Sequence, residues 1–540
     1  MRRLIFFTTI IFSVHLLFAQ EPVKVSVDGT KTGDYLYPFW SGLTFHPTEY
    51  LSTQWGKNLL TELAESNSIQ TYVRIYNQPE FASRVNEDGS ISYNWQHFDE
   101  RVETILDLGL KPLVVFYSMP KEISADPETK NRTREMGSVL YIGPPKDYQL
   151  WEEVCADFTR HIVGKYGQEE VESWYFRCWN EPNHLGFWHG KDMEEYFKLY
   201  DHFAHAVKSV HPKLKIGGPA VTSTDTYKDP FFYRSFLEHV SEGKNNATGE
   251  RGAPIDYIAV HTYGGSSGHG GPGYEHPSIK YMFELQQKLA DIRDEFEPLK
   301  GMPILVEEWG IASGGTKGMG AEPMTATRNS HYGAAFLASL AAQHIERIQD
   351  GNDHNIQHFL FCASGYEGKR PRNFNGYRTF TTRDDIHKPI FNGYKLLGKL
   401  GDQLVDVKVD QKTDNVFTIA TRKPDGSLAI MVTHFDEIDV FNNGEPVSLQ
   451  MMVNNQWDQE QITIRHWRID ENYSNAFTLF LKMGSPEYLN PLQLETLKKE
   501  MVLEKFSRDQ LIKAENGIDL NFMLPVSGVS LVEITPGVPE

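Results

Sequence analysis

Between Pro38 and Leu400 short apolar runs alternate eight times with amphipathic stretches of helical period. A strand, a crossover helix and a further strand is the unit a parallel sheet requires, so this alternation commits the chain to a mostly parallel α/β fold. Eight units close into a (β/α)8 barrel, long for its type because of loop insertions. The expected strands lie near 39–45, 71–75, 111–116, the run opening at Trp174, 214–217, 255–261, 303–308 and 358–362. The longest connections follow strands two, three, six and eight, on the side where barrel enzymes keep their chemistry.

After Gly401 the pattern changes to short strands separated by turn signals, near 416–421, 428–435, 462–467 and 529–534, with a helical stretch near 492–503. An antiparallel β-sandwich packed on the barrel fits this stretch best. The expected organisation is therefore 1–19 a leader, 20–37 a strand segment packing on the sandwich, 38–400 the barrel and 401–540 the sandwich. The leader reads as an export signal: Arg2 and Arg3 precede an apolar run from Leu4 to Phe18, and Ala19 offers a small residue for cleavage before Gln20. That run is short for a membrane span, so an exported chain, periplasmic or secreted and free of the membrane, is expected.

A formal charge of −19 argues against nucleic acid as a partner. Cys155, Cys178 and Cys362 are too few and too scattered for a disulfide framework or a zinc site, and two of them fall in expected core strands. Aromatic residues make up 12% of the chain, a supply that suits stacking on sugar faces and equally a large core.

The chemistry is concentrated at two strand ends. Trp174-Tyr175-Phe176-Arg177-Cys178-Trp179 runs into Asn180-Glu181, and Pro182 stops the strand by removing a backbone donor. Three units later Ile304-Leu305-Val306 leads to Glu307-Glu308-Trp309. Two carboxylates across a barrel mouth are what glycoside hydrolysis needs, one to protonate the leaving oxygen and one to meet the charge at the anomeric carbon. Because strand residues alternate sides, Glu307 and Glu308 are not expected to face the mouth together; Glu308 is taken as the nucleophile, and Glu307 is expected to pair with a base outside the barrel. Asn180 is placed to donate to the sugar hydroxyl beside the anomeric carbon. His261 and Tyr263 end strand six, where Tyr263 can hydrogen-bond the nucleophile; a structural His-Tyr pair is the plainer reading. Arg74, at the end of strand two, can orient a carboxylate or serve as an ordinary salt bridge, and Asn77 and Trp309 are candidate sugar contacts.

These residues carry a resemblance to glycoside hydrolase family 39, which groups β-xylosidases and α-L-iduronidases. Trp179-Asn180-Glu181-Pro182-Asn183 with Phe187-Trp188 resembles the family's acid/base motif, and Glu308 before Trp309 resembles its nucleophile position. His261-Thr262-Tyr263, Gly109-Leu110-Lys111-Pro112 and Met119-Pro120 resemble its sixth-strand and third-strand motifs. Arg468 to Phe477, followed by Met483-Gly484-Ser485-Pro486, resembles a stretch of its sandwich domain. The resemblance implies a retaining hydrolase with Glu308 as nucleophile, Glu181 as acid and then base, and no metal or cofactor. The expected substrate is a plant or algal poly- or oligosaccharide, and the long loops after strands three and eight favour a pocket and exo-action.

The departure lies after strand eight. The xylosidase pattern implies an acidic cluster there, whereas Ala363 to Arg372 offers only Glu367. Lys369, Arg370, Arg372 and Arg378 instead form a basic segment, read either as a rim that binds a substrate carboxylate or sulfate, or as a solvated charge run balanced by Asp384 and Asp385. The sugar, the linkage and the oligomeric state stay open, as do an endo-acting relative of the same superfamily and a carbohydrate-binding barrel without activity.

Overall fold

The computed structural model describes residues 21–537 apart from 78–82, 88–89, 134–137, 191, 267–268, 316–317, 321–322, 365–371 and 411–414, so the leader lies outside the described residues. The parallel strands Gly42–His46, Tyr72–Tyr76, Lys111–Phe116, Tyr175–Cys178, Lys215–Val221, Tyr257–Tyr263, Ile304–Gly310 and Ile356–Ser364 close into one barrel. The eighth strand pairs back onto the first, with Leu360 opposite Gly42 and Cys362 opposite Thr44.

The apolar runs become strands because each is covered on both sides, by the barrel interior and by the helix layer. Every residue of the sixth and seventh strands is buried. The crossover helices present one stripe inward; Gln54–Glu65, for instance, buries Gly56, Leu59, Leu60 and Leu63. Asp147, Asp192 and Ser278 fix helix starts by accepting from backbone N–H groups of the first turn. The fifth strand runs to Val221, four residues beyond the expected 214–217, because Gly217 and Gly218 do not end it. They are needed for close approach: a Cβ on Gly217 would lie 2.5 Å from the Tyr257 ring.

The C-terminal part is a ten-stranded sheet whose inner face gathers Val25, Val27, Ile430, Leu449, Ile464 and Ile534 into one core. Val23–Tyr35 belongs to this sheet, antiparallel to Gln403–Val409 and parallel to Val447–Asn454. The sheet is therefore mixed at one ladder and antiparallel elsewhere. The opposite face seats on the barrel: Phe435 meets Tyr332 and Phe336 edge-on, and Tyr332 donates to the Glu437 carbonyl at 2.9 Å. Glu437 also holds the start of helix Ile279–Asp294, accepting from the Ser278 hydroxyl at 2.7 Å and the Ile279 N–H at 2.8 Å. Two further helices, Ala476–Lys482 and Pro491–Glu500, share a small core with Phe374 and Ile386 of the segment after strand eight. All three cysteines are free and buried, and burial pushes their thiols above the usual value, Cys362 to about 11.

Candidate active site

Glu181 leaves the fourth strand through a strained turn. Trp179 has φ 63° and Glu181 φ 43°, left-handed values that bulky residues adopt only when their surroundings impose them. The surroundings here are specific. Trp179 donates from Nε1 to the Phe187 carbonyl at 2.9 Å, and its ring meets Tyr117 and Trp188 edge-on. The Glu181 N–H donates to the Ala220 carbonyl at 3.2 Å, while Asn183 bonds both the N–H and the hydroxyl of Thr222. Glu181 and Asn183 thus tie the turn to the end of the fifth strand.

The two carboxylates do meet. Oxygens of Glu181 and Glu308 and a ring nitrogen of His261 all lie within 4.8 Å of one another. His261 Nδ1 is 2.7 Å from Glu181 Oε1 and 3.7 Å from Glu308 Oε2, so the imidazole stands between them. Three such donors are also a conceivable cation site, but both Glu308 oxygens are already engaged. Arg74 donates to Oε1 at 2.5 Å and the Tyr263 hydroxyl to Oε2 at 2.5 Å. Burial opposes ionisation of Glu308, yet the charges of His261, Arg74, Arg378 and His46 outweigh it and hold the carboxyl well below the usual carboxylate range. Burial pushes the Tyr263 phenol well above its usual value, so it remains a donor.

Arg74 organises more than one acid. Its guanidinium also reaches Asn180 Oδ1 at 2.6 Å, and Arg177 approaches the same oxygen at 3.4 Å. An amide whose acceptor is held by two cations has only its N–H donors left to offer a sugar hydroxyl. Arg177, fully buried inside the fourth strand, is a site residue the motif reading passed over. The available signal was a charge in the middle of a strand buried on both faces, which demands a partner.

Four expectations change. Glu307 does not point outside the barrel. The ladder to strand six pairs Val260 with Val306 and then His261 with Glu308, so Glu307 is the extra residue of a β-bulge. The bulge breaks the alternation, and both acids face inward: Glu307 forms an ion pair with Arg177, Oε2 to Nε 2.5 Å, and accepts from the Tyr257 hydroxyl at 3.1 Å. Trp309, next to inward-facing Glu308 on the regular part of the strand, faces the helix layer, fully buried with its ring 5.3 Å from that of Phe361, and does not line the mouth. Asn77 is buried at the strand-two end, where its Oδ1 accepts from the Tyr117 N–H at 3.2 Å, a bracing role. Arg378 is no rim residue: it lies over the Tyr263 ring at 4.5 Å and donates to the carbonyls of Cys362 and Ala312. Glu367 and Arg370 fall outside the described residues.

Comparison with known proteins identifies the family. The profile of glycosyl hydrolases family 39 matches residues 23–505. A β-xylosidase of Caldicellulosiruptor saccharolyticus is 26% identical over 96% of this chain and 99% of its own length. An α-L-iduronidase of Mus musculus is 24% identical over 96% of this chain and 82% of its own. Among solved structures, a monomeric β-xylosidase from Caulobacter crescentus CB15 superposes with a TM-score of 0.78 at 20% identity, covering 95% of this chain and 100% of that one, a likeness of fold. With the profile spanning both the barrel and most of the sandwich, the chain belongs to glycosyl hydrolases family 39 and is a retaining glycosidase of the xylosidase/iduronidase type.

Proposed function

We propose that the chain removes terminal sugars from plant or algal oligosaccharides by double displacement, with Glu308 as nucleophile and Glu181 as acid and then base. One observation carries the mechanism: the nearest carboxylate oxygens of Glu181 and Glu308 lie within 4.8 Å of each other. Retaining enzymes hold their carboxyls about 5 to 5.5 Å apart, whereas inverting ones leave about 6.5 to 9.5 Å for a water. The environments differ in the required sense. Glu308, gripped by Arg74 and Tyr263, is kept ionised to attack the anomeric carbon. Glu181 touches a histidine and a backbone turn and is free to protonate the departing oxygen, then to take a proton from the water that hydrolyses the glycosyl-enzyme. Asn180, oriented by both arginines, serves the hydroxyl next to the anomeric carbon. His261 bridges the two acids.

Exo-action is supported by the depth of the pair, since the Glu308 and Glu181 side chains are only 10% and 13% exposed. Comparing rates on aryl β-xyloside and aryl α-L-iduronide tests the sugar. Turnover of one identifies the class; failure on both, with activity on another aryl glycoside, rejects both the xyloside and the iduronide and assigns the sugar to that glycoside. The first nineteen residues are read as a cleaved export signal on the strength of Arg2-Arg3, the apolar run and Ala19. Sequencing the N-terminus of the mature protein tests this: Gln20 is expected, and Met1 would reject it.

A further inference from the structure

Glu307 is left over by this chemistry, yet it is fully buried and aimed at the two guanidiniums that hold the site. Its Oε2 lies 2.5 Å from Nε of Arg177 and 3.5 Å from Nε of Arg74, and its Oε1 accepts from the Tyr257 hydroxyl. Its own carbonyl is fixed by the Thr44 hydroxyl at 2.5 Å. The division of each guanidinium is the informative feature. Both arginines turn their Nε edge to Glu307 and their terminal nitrogens to the site: Arg74 to Glu308 and Asn180, Arg177 to Asn180 and the Trp179 carbonyl.

We propose that Glu307 is a positioning residue for hydrolysis, the buried counter-charge through which Arg74 and Arg177 hold Asn180 and Glu308 in place. The bulge is what brings it inside; on a regular strand that residue would face the helices. Glu307 is the carboxylate that Arg74 and Arg177 share. With Glu307 neutral, the pull of Glu308 on Arg74 is no longer opposed from below, and Arg74 is drawn away from Asn180. The damage then falls on the sugar hydroxyl that Asn180 serves, rather than on the nucleophile itself. This rests on the hydrolytic reading above.

The test compares wild type, Glu307→Gln and Glu307→Asp on an aryl glycoside that the enzyme turns over and on its 2-deoxy counterpart. Gln is expected to lower kcat by about 10- to 100-fold, with KM changing far less, as a displaced positioning group does. On the 2-deoxy substrate, which lacks the hydroxyl, that loss is expected to shrink to within about threefold, because the two perturbations act on one contact. Asp, which keeps the charge, is expected to recover part of kcat on the full substrate; should Gln not fold, the same comparison is made on Asp alone. Wild-type kcat in the Gln variant, or an equal loss on both substrates, overturns the assignment. Glu308→Ala with azide is the control: if wild type turns over no glycoside and azide restores nothing, the hydrolytic reading itself fails, and this assignment with it.

Discussion

Tyr263→Phe deletes one hydroxyl and leaves the ring, so it measures a single contribution to the ionisation of Glu308. The hydroxyl donates to Glu308 Oε2 at 2.5 Å in a site where Glu308 is 7% exposed, and Arg378 lies over the ring at 4.5 Å. Those ring contacts persist in Phe, so the fold should hold. A hydrogen bond to a charged group contributes about 1.5 to 3 kcal/mol. At about 1.36 kcal/mol per pKa unit, this corresponds to about one to two units. The donor favours the ionised form, so removing it raises the Glu308 pKa from its depressed position toward the ordinary carboxylate range. The acid limb of kcat/KM, which reports the free enzyme, should therefore move up by about one to two pH units. The assay is a pH profile of aryl-glycoside hydrolysis for wild type and variant, with circular dichroism to check folding. An acid limb that stays in place, or moves to lower pH, would refute the claim that Tyr263 helps hold the nucleophile ionised.

Three other outcomes follow from the contacts described. Arg74→Lys keeps the charge but not the planar fork, and a single ammonium cannot reach Glu308, Asn180 and Glu307 together; kcat/KM should fall by about 100-fold, and wild-type kinetics would contradict the role given to the fork. Glu437→Ala removes the acceptor for the Ser278 hydroxyl and the Ile279 N–H where the sandwich meets the barrel; it should cost about 1 to 2 kcal/mol, read as a lower urea midpoint at unchanged activity per folded molecule. Burial depresses His331 and His358 to about 4 and His344 and His466 to about 3, from 6.5. The folded chain thus binds fewer protons than the unfolded one at mildly acid pH, so stability from these groups is full above about 6.5 and lost as pH falls toward about 4 and then 3. Urea midpoints measured across that range should fall with pH; a flat profile would contradict it.

The barrel was legible because its strands are buried on both faces and its helices carry one apolar stripe, signals that survive in any compact parallel sheet. All eight strands lie at the expected places, with ends displaced by four residues at most. In the sandwich the strand reading left out two strands whose alternation is plain: Ile518, Leu520, Phe522 and Leu524 in the edge strand Gly517–Leu524, and Val405, Val407 and Val409 in Gln403–Val409. Within the site, the motif ends at Asn180, Glu181 and Glu308 were readable from residue type and strand end. What was not readable is the bulge at Glu307. Alternation is a rule about regular ladders, and a single extra residue breaks it where it is inserted. That one shift turns Glu307 inward beside Glu308, whereas Trp309 faces outward as regular alternation after Glu308 requires. Arg177 was hidden for a related reason: it sits in an otherwise apolar run, and its partner, Glu307, had been assigned to the wrong side.

The central claim is that Glu181 and Glu308, whose nearest carboxylate oxygens lie within 4.8 Å, act in double displacement. Proton NMR of the first product formed from an aryl glycoside that the enzyme turns over tests it most directly, before mutarotation mixes the anomers. Retention of the anomeric configuration is the predicted result. A first product of inverted configuration would contradict the account, whatever the sugar.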